Sequence, residues 1–544
     1  MSHLFRLPRE LREIIYGYYI TVDGGYLCDT DAFVTGRLKG IDGQPINIAL
    51  IYTCKTIAEE MDRGGLAMRL NAISFTTLYS PDLSTLAKAF QQLMNDGLEP
   101  LRDAMLKYVG YHLSESSILQ LKGGYPYLAP VLDRLKSEEP PERLGHERSY
   151  WTYRRNGPYG EVPSTYREFV KDALCLAADE PEASRAIRDF VPAKITKAYR
   201  ADGPWTQFEI VNARSEAWDV PSTHEMNELI SLTKDETTVS FDSAESDPVK
   251  YRFSAAAAAI YFLKSVPCTL RPHLRKIILL EDAKCISYPE SHDRGLIPFC
   301  QDNPLLRVER RVKLWTNVFL TGMTYDAYLE WQCAQQTGQH ETGVLYSDQI
   351  TAALGPWIVE AAALVGAGMP PASFSLLLES GGAPELCSQI FQSVLHRDIA
   401  WQQAWIESAR NGTLDLSWFG LRGKLAANSV RERDHVFHAG PTRGPQNFCD
   451  FAGYFFEELP RVVREMGEGS SIIRCDFEVG TPLDFQAIVD DHKHWGDGKW
   501  IQEWSSHSPA IWKTVSPLPD WKTIVKDNLV LSARAHWDDS RYYT

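Results

Sequence analysis

Residues 4–18 read Leu-Phe-Arg-Leu-Pro-Arg-Glu-Leu-Arg-Glu-Ile-Ile-Tyr-Gly-Tyr, and no other stretch so constrains the local fold. Pro8 sits where a helix tolerates proline, in the first turn, where its missing N–H would have no intrahelical acceptor. Leu11, Ile14, Ile15 and Tyr18 then recur at helical spacing and define one apolar face. Gly24-Gly25 punctuates the end of this element. Residues 21–46 are polar and turn-rich. A second helix follows, with Leu50, Cys54, Ile57, Ala58 and Met61 on one face, ending near Gly64-Gly65. The run Asn71-Ala72-Ile73-Ser74-Phe75-Thr76-Thr77 alternates and is β-rich, which predicts a short strand.

This order resembles the opening of fungal F-box-like proteins, whose pattern is Leu-Pro-x-Glu-Leu-Arg-x-x-Ile-Tyr. Ala49-Leu50-Ile51-Tyr52-Thr53-Cys54-Lys55 with Glu59-Glu60 is similar to that family's second helix, and Asn71-Ala72-Ile73-Ser74-Phe75 to its Asn-x-x-x-Phe strand. The resemblance implies a small helical bundle whose Leu-Pro turn and following helix dock on the adaptor of cullin ubiquitin ligases. The matching partner-binding positions are Leu7, Pro8, Leu11, Ile14 and Ile15. The chain departs from the pattern in one respect: Thr21–Ile46 is inserted where an F-box has a short turn. Leu11, Ile14 and Ile15 therefore have two readings, a docking face or ordinary core packed on the second helix.

At 544 residues the chain exceeds what one core usually organises, so roughly two to four domains are expected. Hydrophobic residues at 44% and charged residues at 23% are those of a globular protein with ample core. The formal charge of −15 disfavours a broad nucleic-acid or anionic-membrane surface, which needs a positive field. The ten cysteines are scattered without a Cys-x-x-Cys pair, as expected for free thiols in a reducing compartment. Met1–Leu7 lacks the plan of a signal peptide. The longest apolar runs, Phe253–Leu263 and Trp357–Met369, are shorter than the roughly 20 residues that span a bilayer. A cytoplasmic or nuclear location follows as the expectation.

Beyond residue 80 helical patterns dominate, giving an α+β, predominantly helical fold class with a few short strands. Helices are predicted around Leu83–Met94, Leu101–Val109, Phe253–Leu263, Leu305–Phe319, Trp357–Val365, Ala383–Leu395 and Phe451–Met466. Strands are predicted over Arg275–Asp282, where Ile277-Ile278-Leu279-Leu280 lies between charges, and over Ser471–Glu478. Glu138-Glu139-Pro140-Pro141-Glu142 reads as a linker, and Asp235–Pro248, acidic and poor in apolar residues, as disordered. The expected organisation is an F-box-like module over 1–80, a helical region over 81–234, an acidic linker over 235–250 and a mixed recognition region over 251–544.

Common catalytic signatures are missing: there is no Gly-rich phosphate loop, His-Glu-x-x-His or Gly-x-Ser-x-Gly. Glu281 and Asp282 end a predicted strand shortly before His292, and such a trio can serve as base and orienter or as a self-bonded polar loop. Asp490-Asp491-His492-Lys493-His494, with His435 and His438 upstream, offers imidazole and carboxylate ligands of the kind zinc or iron accepts, or a solvated turn. Arg148, Tyr150, Trp151, Tyr153, Arg154, Arg155 and Tyr159 interleave cations with aromatics, a pattern that can stack bases, grip an acidic peptide, or belong to an exposed loop that packs its aromatics on the body, the last being the expectation. Trp495, Trp500, Trp504, Trp512, Trp521 and Trp537 can line a groove or anchor irregular chain. The leading expectation is a protein-interaction protein with a protein partner, no cofactor and no metal. An enzyme with its site in residues 275–500 is the alternative.

Overall fold

The computed structural model describes residues 3–63, 65–137, 161–189, 211–213, 215–233, 248–320, 344–413 and 456–530. Nine strands occur among them: β1 (Tyr26–Cys28), β2 (Lys39–Gly40), β3 (Ile73–Thr76), β4 (Lys276–Glu281), β5 (Arg307–Lys313), β6 (Leu345–Tyr346), β7 (Phe374–Glu379), β8 (Ile473–Cys475) and β9 (Ile511–Trp512). Seven of them form one mixed sheet in the order β2-β1-β3-β4-β5-β7-β8, and β6 pairs with β9 separately. β2 runs antiparallel to β1, and every other neighbour in the large sheet is parallel. The surrounding mass is helical, so the fold is α+β and mainly α.

Parallel neighbours need crossover connections, and helices supply them. From β1 to β8 the chain lays each new parallel strand on the same side of the last. With the right-handed crossover that such connections obey, successive connections then fall on one face of the sheet. The burial alternation agrees. Ile277, Leu279 and Glu281 of β4, Val308, Arg310 and Val312 of β5, and Phe374, Leu376 and Leu378 of β7 are buried. Their neighbours Ile278, Leu280, Glu309, Arg311, Ser375, Leu377 and Glu379 are only half-buried.

On the covered face, the helix Ala255–Ser265 packs against β3 and β4. Its alanine-rich start allows close approach, and Ser254 caps it by accepting from the Ala257 amide at 2.9 Å. The helix Ser347–Ala363 lies against the turn Pro289–Leu296 and the helix Leu459–Gly467. Further out, the helix Pro163–Asp179 packs on Glu99–Val109 and on Pro181–Asp189. One apolar core runs continuously through these layers from Tyr26 to Leu529. A second, small cluster of Tyr16, Ile20, Ile57, Met61 and Leu66 holds the N-terminal helices.

Most of the patterned elements form as the sequence predicts, including the strand through Ile277–Leu280 and the alanine-rich helix. One expectation is corrected. Leu305–Phe319 is not one helix: it forms β5, because Val308, Arg310 and Val312 alternate onto the covered face, and only its end, Leu314–Val318, is a π-helical turn. Residues 21–46, polar and turn-rich in sequence, also contribute β1, a short helix Thr30–Thr35 and β2 at the edge of the sheet. The strand β7 had no counterpart in the sequence reading. Residues 138–160, nearly all of the acidic segment before Pro248, His435, His438 and Trp537 lie outside the described residues. Among the described residues no helix is long and apolar enough to cross a membrane.

Candidate functional site

The N-terminal helix Arg9–Ile20 has two nearly opposite faces, roughly 150–170° apart at the ~100° turn per residue of an α-helix. One face anchors. Tyr16 and Ile20 are buried against Ile57, Met61 and Leu66 of the following helices Lys55–Arg63 and Leu66–Leu70. Arg12 grips both carboxylate oxygens of Glu60, with Nε at 3.0 Å, and donates to the Leu7 carbonyl as well. Tyr16 donates its hydroxyl to Glu60 at 2.9 Å. That pairing holds the Glu60 carboxyl below its usual range, chiefly through the Arg12 hydrogen bond. Asn71 closes the far end: its amide donates to the Ile20 carbonyl at 3.1 Å and its oxygen accepts from the Val22 amide at 2.8 Å.

The other face is bare. Leu11 is 47% exposed, Ile14 56%, Ile15 42% and Tyr18 85%. Pro8 is exposed and Leu7 half-buried at the turn that precedes them. The core reading of Leu11, Ile14 and Ile15 is therefore overturned: Tyr16 and Ile20, not these residues, meet the second helix. Tyr52 and Ile48, in and beside the short helical turn Ala49–Tyr52, are exposed too. A row of large apolar side chains facing water on one short helix is what a docking surface presents, because burying it against a partner is favourable by about 25 cal/mol per Å².

The strand-end trio resolves differently. Asp282 is exposed and accepts from Thr77 Oγ1 at 2.7 Å. Glu281 and His292 are drawn into a buried network together with Ser254, Asp293 and Arg310. Arg310 donates from Nε and Nη2 to Glu281, from Nη1 to Asp293 at 2.8 Å, and from Nη2 to the Pro289 carbonyl, while lying over the Trp357 ring. The backbone amides of Ala255 and Ala256 donate to Glu281 Oε2 and Oε1 respectively, so this carboxylate also neutralises a helix start. His292 Nε2 donates to the Ser287 carbonyl at 2.8 Å, which leaves Nδ1 to accept from the Ser254 hydroxyl at 2.7 Å. Burial lowers the His292 pKa to about 3, so the ring is neutral. Burial raises Asp293 to about 6 despite Arg310 beside it. One guanidinium faces two carboxylates, and Glu281 receives more of its donors. Burial works against the Arg310 charge, yet Asp293 and Glu281 hold it above its usual range.

The network fastens a strained loop. Ser287 and Tyr288 have φ of 57° and 59°, a left-handed conformation that costs non-glycine residues of order 1–3 kcal/mol. His292 holds Ser287, Arg310 holds Pro289, and Arg167 lies over the Tyr288 ring at 4.3 Å. With these side chains engaged in the interior, the geometry is that of a buried strut. Arg310, Ser254 and Asp293 escaped the sequence reading, although valines flanking Arg310 at alternate positions signalled a strand that turns an arginine inward.

His492 and His494 do not converge on ligands. His492 ends the helix Phe485–His492 and stacks on Trp495 with ring centroids 3.7 Å apart, while His494 is exposed. Among the described residues no group of three or more His, Cys, Asp or Glu is placed to hold a metal ion. Trp500, Trp504 and Trp512 are buried, so they anchor their segment and do not line an open groove. Comparison with known proteins found no matching family model, curated protein or solved structure.

Proposed function

We propose that this chain is a protein-interaction protein that docks through its N-terminal helix, as a substrate-recruiting subunit of a cullin-type ubiquitin ligase. The partner-binding residues are Leu7, Pro8, Leu11, Ile14 and Ile15. The supporting observation is the exposed row Leu11, Ile14, Ile15 and Tyr18 on a helix whose opposite face is fixed by Tyr16, Ile20 and the Arg12–Glu60 pair. The likeness of the first 80 residues to the F-box-like pattern selects the adaptor as the partner. The segment Thr21–Ile46 builds β1 and β2, so the insertion is invested in the sheet edge. The test is a pull-down of the cullin adaptor by the intact chain and by Ile14→Asp/Ile15→Asp. Capture by the native chain and loss in the variant, at unchanged thermal stability, is expected. A well-folded native chain that captures no adaptor would sink the ligase assignment.

A further inference from the structure

The half-buried face of the large sheet carries a charge pattern opposite to that of the whole chain. Side chains in register across the strands form rows. One row is Thr76, Leu280, Arg311, Leu377 and Arg474, and the next is Ile278, Glu309 and Ser375, bounded on β3 by Ser74, which is buried. Neighbours within a row stand about 5 Å apart, the spacing of strands in a sheet. On β4, β5, β7 and β8 this face bears Lys276, Arg307, Arg311, Lys313 and Arg474, against the carboxylates of Glu309 and Glu379 and that of Asp476, which stands beside Glu379 just past β8. Glu309 is already engaged by Arg311 and by Lys276, the latter at 3.2 Å. Burial raises the Glu379 pKa, while Arg311 and Lys313 nearby favour its charged form. A cationic, partly apolar surface thus sits on a chain whose net charge is −15.

We propose that this sheet face is a docking surface for an acidic segment of another protein. Its carboxylates would meet Arg311, Arg474, Arg307 and Lys313, and an apolar side chain would lie between Leu280 and Leu377. Three observations converge. The strand order places the crossover helices on the opposite face. The central side chains Ile278, Leu280 and Leu377 are left half-buried. The local charge complements an acidic ligand, and potentials of opposite sign speed and orient encounter. The surface gives the recruited partner of the proposed function a place to bind, but it stands on its own geometry and does not require the adaptor.

The test measures binding of fluorescein-labelled peptides to the full chain by anisotropy. One peptide mixes Glu, Asp and Leu, and the control carries Lys in place of each acid. The acidic peptide is expected to bind with an affinity that falls as salt rises, and the lysine peptide not to bind. Arg311→Glu/Arg474→Glu should weaken binding at least tenfold, as should Leu377→Asp. Arg474→Glu alone, at an exposed position, serves if the double variant does not fold. Ile14→Asp should bind the acidic peptide as the native chain does, which separates this surface from the adaptor helix. Equal binding of both peptides, no binding of the acidic one, or unchanged affinity in Arg474→Glu and Leu377→Asp would overturn the proposal. So would sedimentation showing a self-associated chain that Arg474→Glu splits, because the face would then join two copies.

Discussion

At Arg310 a full charge lies at 0% exposure because carboxylates on two elements, a carbonyl and an aromatic ring enclose it. Taking a guanidinium from water is costly, and pairing offsets that cost only while every partner is present. Arg310→Met leaves Glu281 and Asp293 without their cation. We expect a loss of about 3–5 kcal/mol in unfolding free energy, read as a lowered urea midpoint. Arg310→Lys should also destabilise, since an ammonium cannot reproduce the forked contacts to Glu281 and Asp293. Two neighbours give the same network opposed pH responses. Asp293 rises from its usual 3.8 to about 6, so between those values the folded chain holds a proton the unfolded chain has lost. Its contribution is complete below about pH 4 and disappears as pH rises through about 6. His292 falls from 6.5 to about 3, so its contribution is present above 6.5 and is lost as pH drops toward 3. The two slopes oppose each other from about pH 4 to 6. Asp293→Asn removes one of them. The stability of the native chain minus that of the variant should fall by about 1.4 kcal/mol per pH unit across this window. Urea titrations at pH 4, 5 and 6 measure it; a difference independent of pH would show that Asp293 titrates normally.

Among the elements, the N-terminal helix separates fixed from free side chains. Ile14→Ala should change stability by no more than about 0.5 kcal/mol, the usual range for exposed sites, whereas Tyr16→Ala should cost about 3–5 kcal/mol. Urea unfolding of the two variants makes the comparison, and equal losses would mean that both faces are packed. Gly25 marks where this helix region meets the sheet. Its φ is +82°, and a Cβ there would lie 2.4 Å from the Ala72 carbonyl oxygen, the acceptor of the Tyr26 amide. Gly25→Ala therefore meets both backbone strain and a clash with backbone, and we expect it to loosen β1 from β3 and to lower the thermal midpoint. The residues of this junction show what the sequence made legible. Gly24-Gly25 announced a break, and the apolar spacing of Leu11, Ile14, Ile15 and Tyr18 announced a helix face. Nothing local distinguished a face for docking from a face for packing, because that depends on Tyr16 and Ile20 finding Ile57 and Met61 first. β5 was misread for a related reason. Arg-Val-Glu-Arg-Arg-Val-Lys has the composition of an exposed helix, and only the distant carboxylates Glu281 and Asp293 make an inward-facing Arg310 tolerable. The strut was half legible: Glu281 and His292 stood out as ionisable residues near a strand end, but their partner Arg310 lay on a strand the composition concealed.

Among the described residues, two apolar clusters of very unequal size stand out. The large one spans Tyr26 to Leu529, and the small one consists of Tyr16, Ile20, Ile57, Met61 and Leu66 with partly buried neighbours. Asn71 is one of the side chains that join them. Its amide nitrogen lies 3.1 Å from the Ile20 carbonyl, 3.0 Å from the Ala67 carbonyl and 3.2 Å from the Tyr26 hydroxyl. A cluster of five buried side chains stabilises by only about 1.5–3 kcal/mol each before the entropy of ordering three short helices is subtracted. Such a unit opens at lower free energy than a sheet sealed beneath two layers of helices. We therefore expect native-state hydrogen exchange to show Arg9–Ile20 and Lys55–Arg63 losing protection well before β4 and β5. Asn71→Ala should widen that gap, because it frees the Val22 amide and the Ile20 carbonyl of the helical unit, while on the large core it removes only the contact to the Tyr26 hydroxyl. Adaptor capture would close it, since a ligand that binds only the folded helix adds its binding free energy to the opening cost of that helix. Coincident exchange of the N-terminal helices and the central strands, in the native chain and in Asn71→Ala alike, would show instead that both cores unfold as one unit.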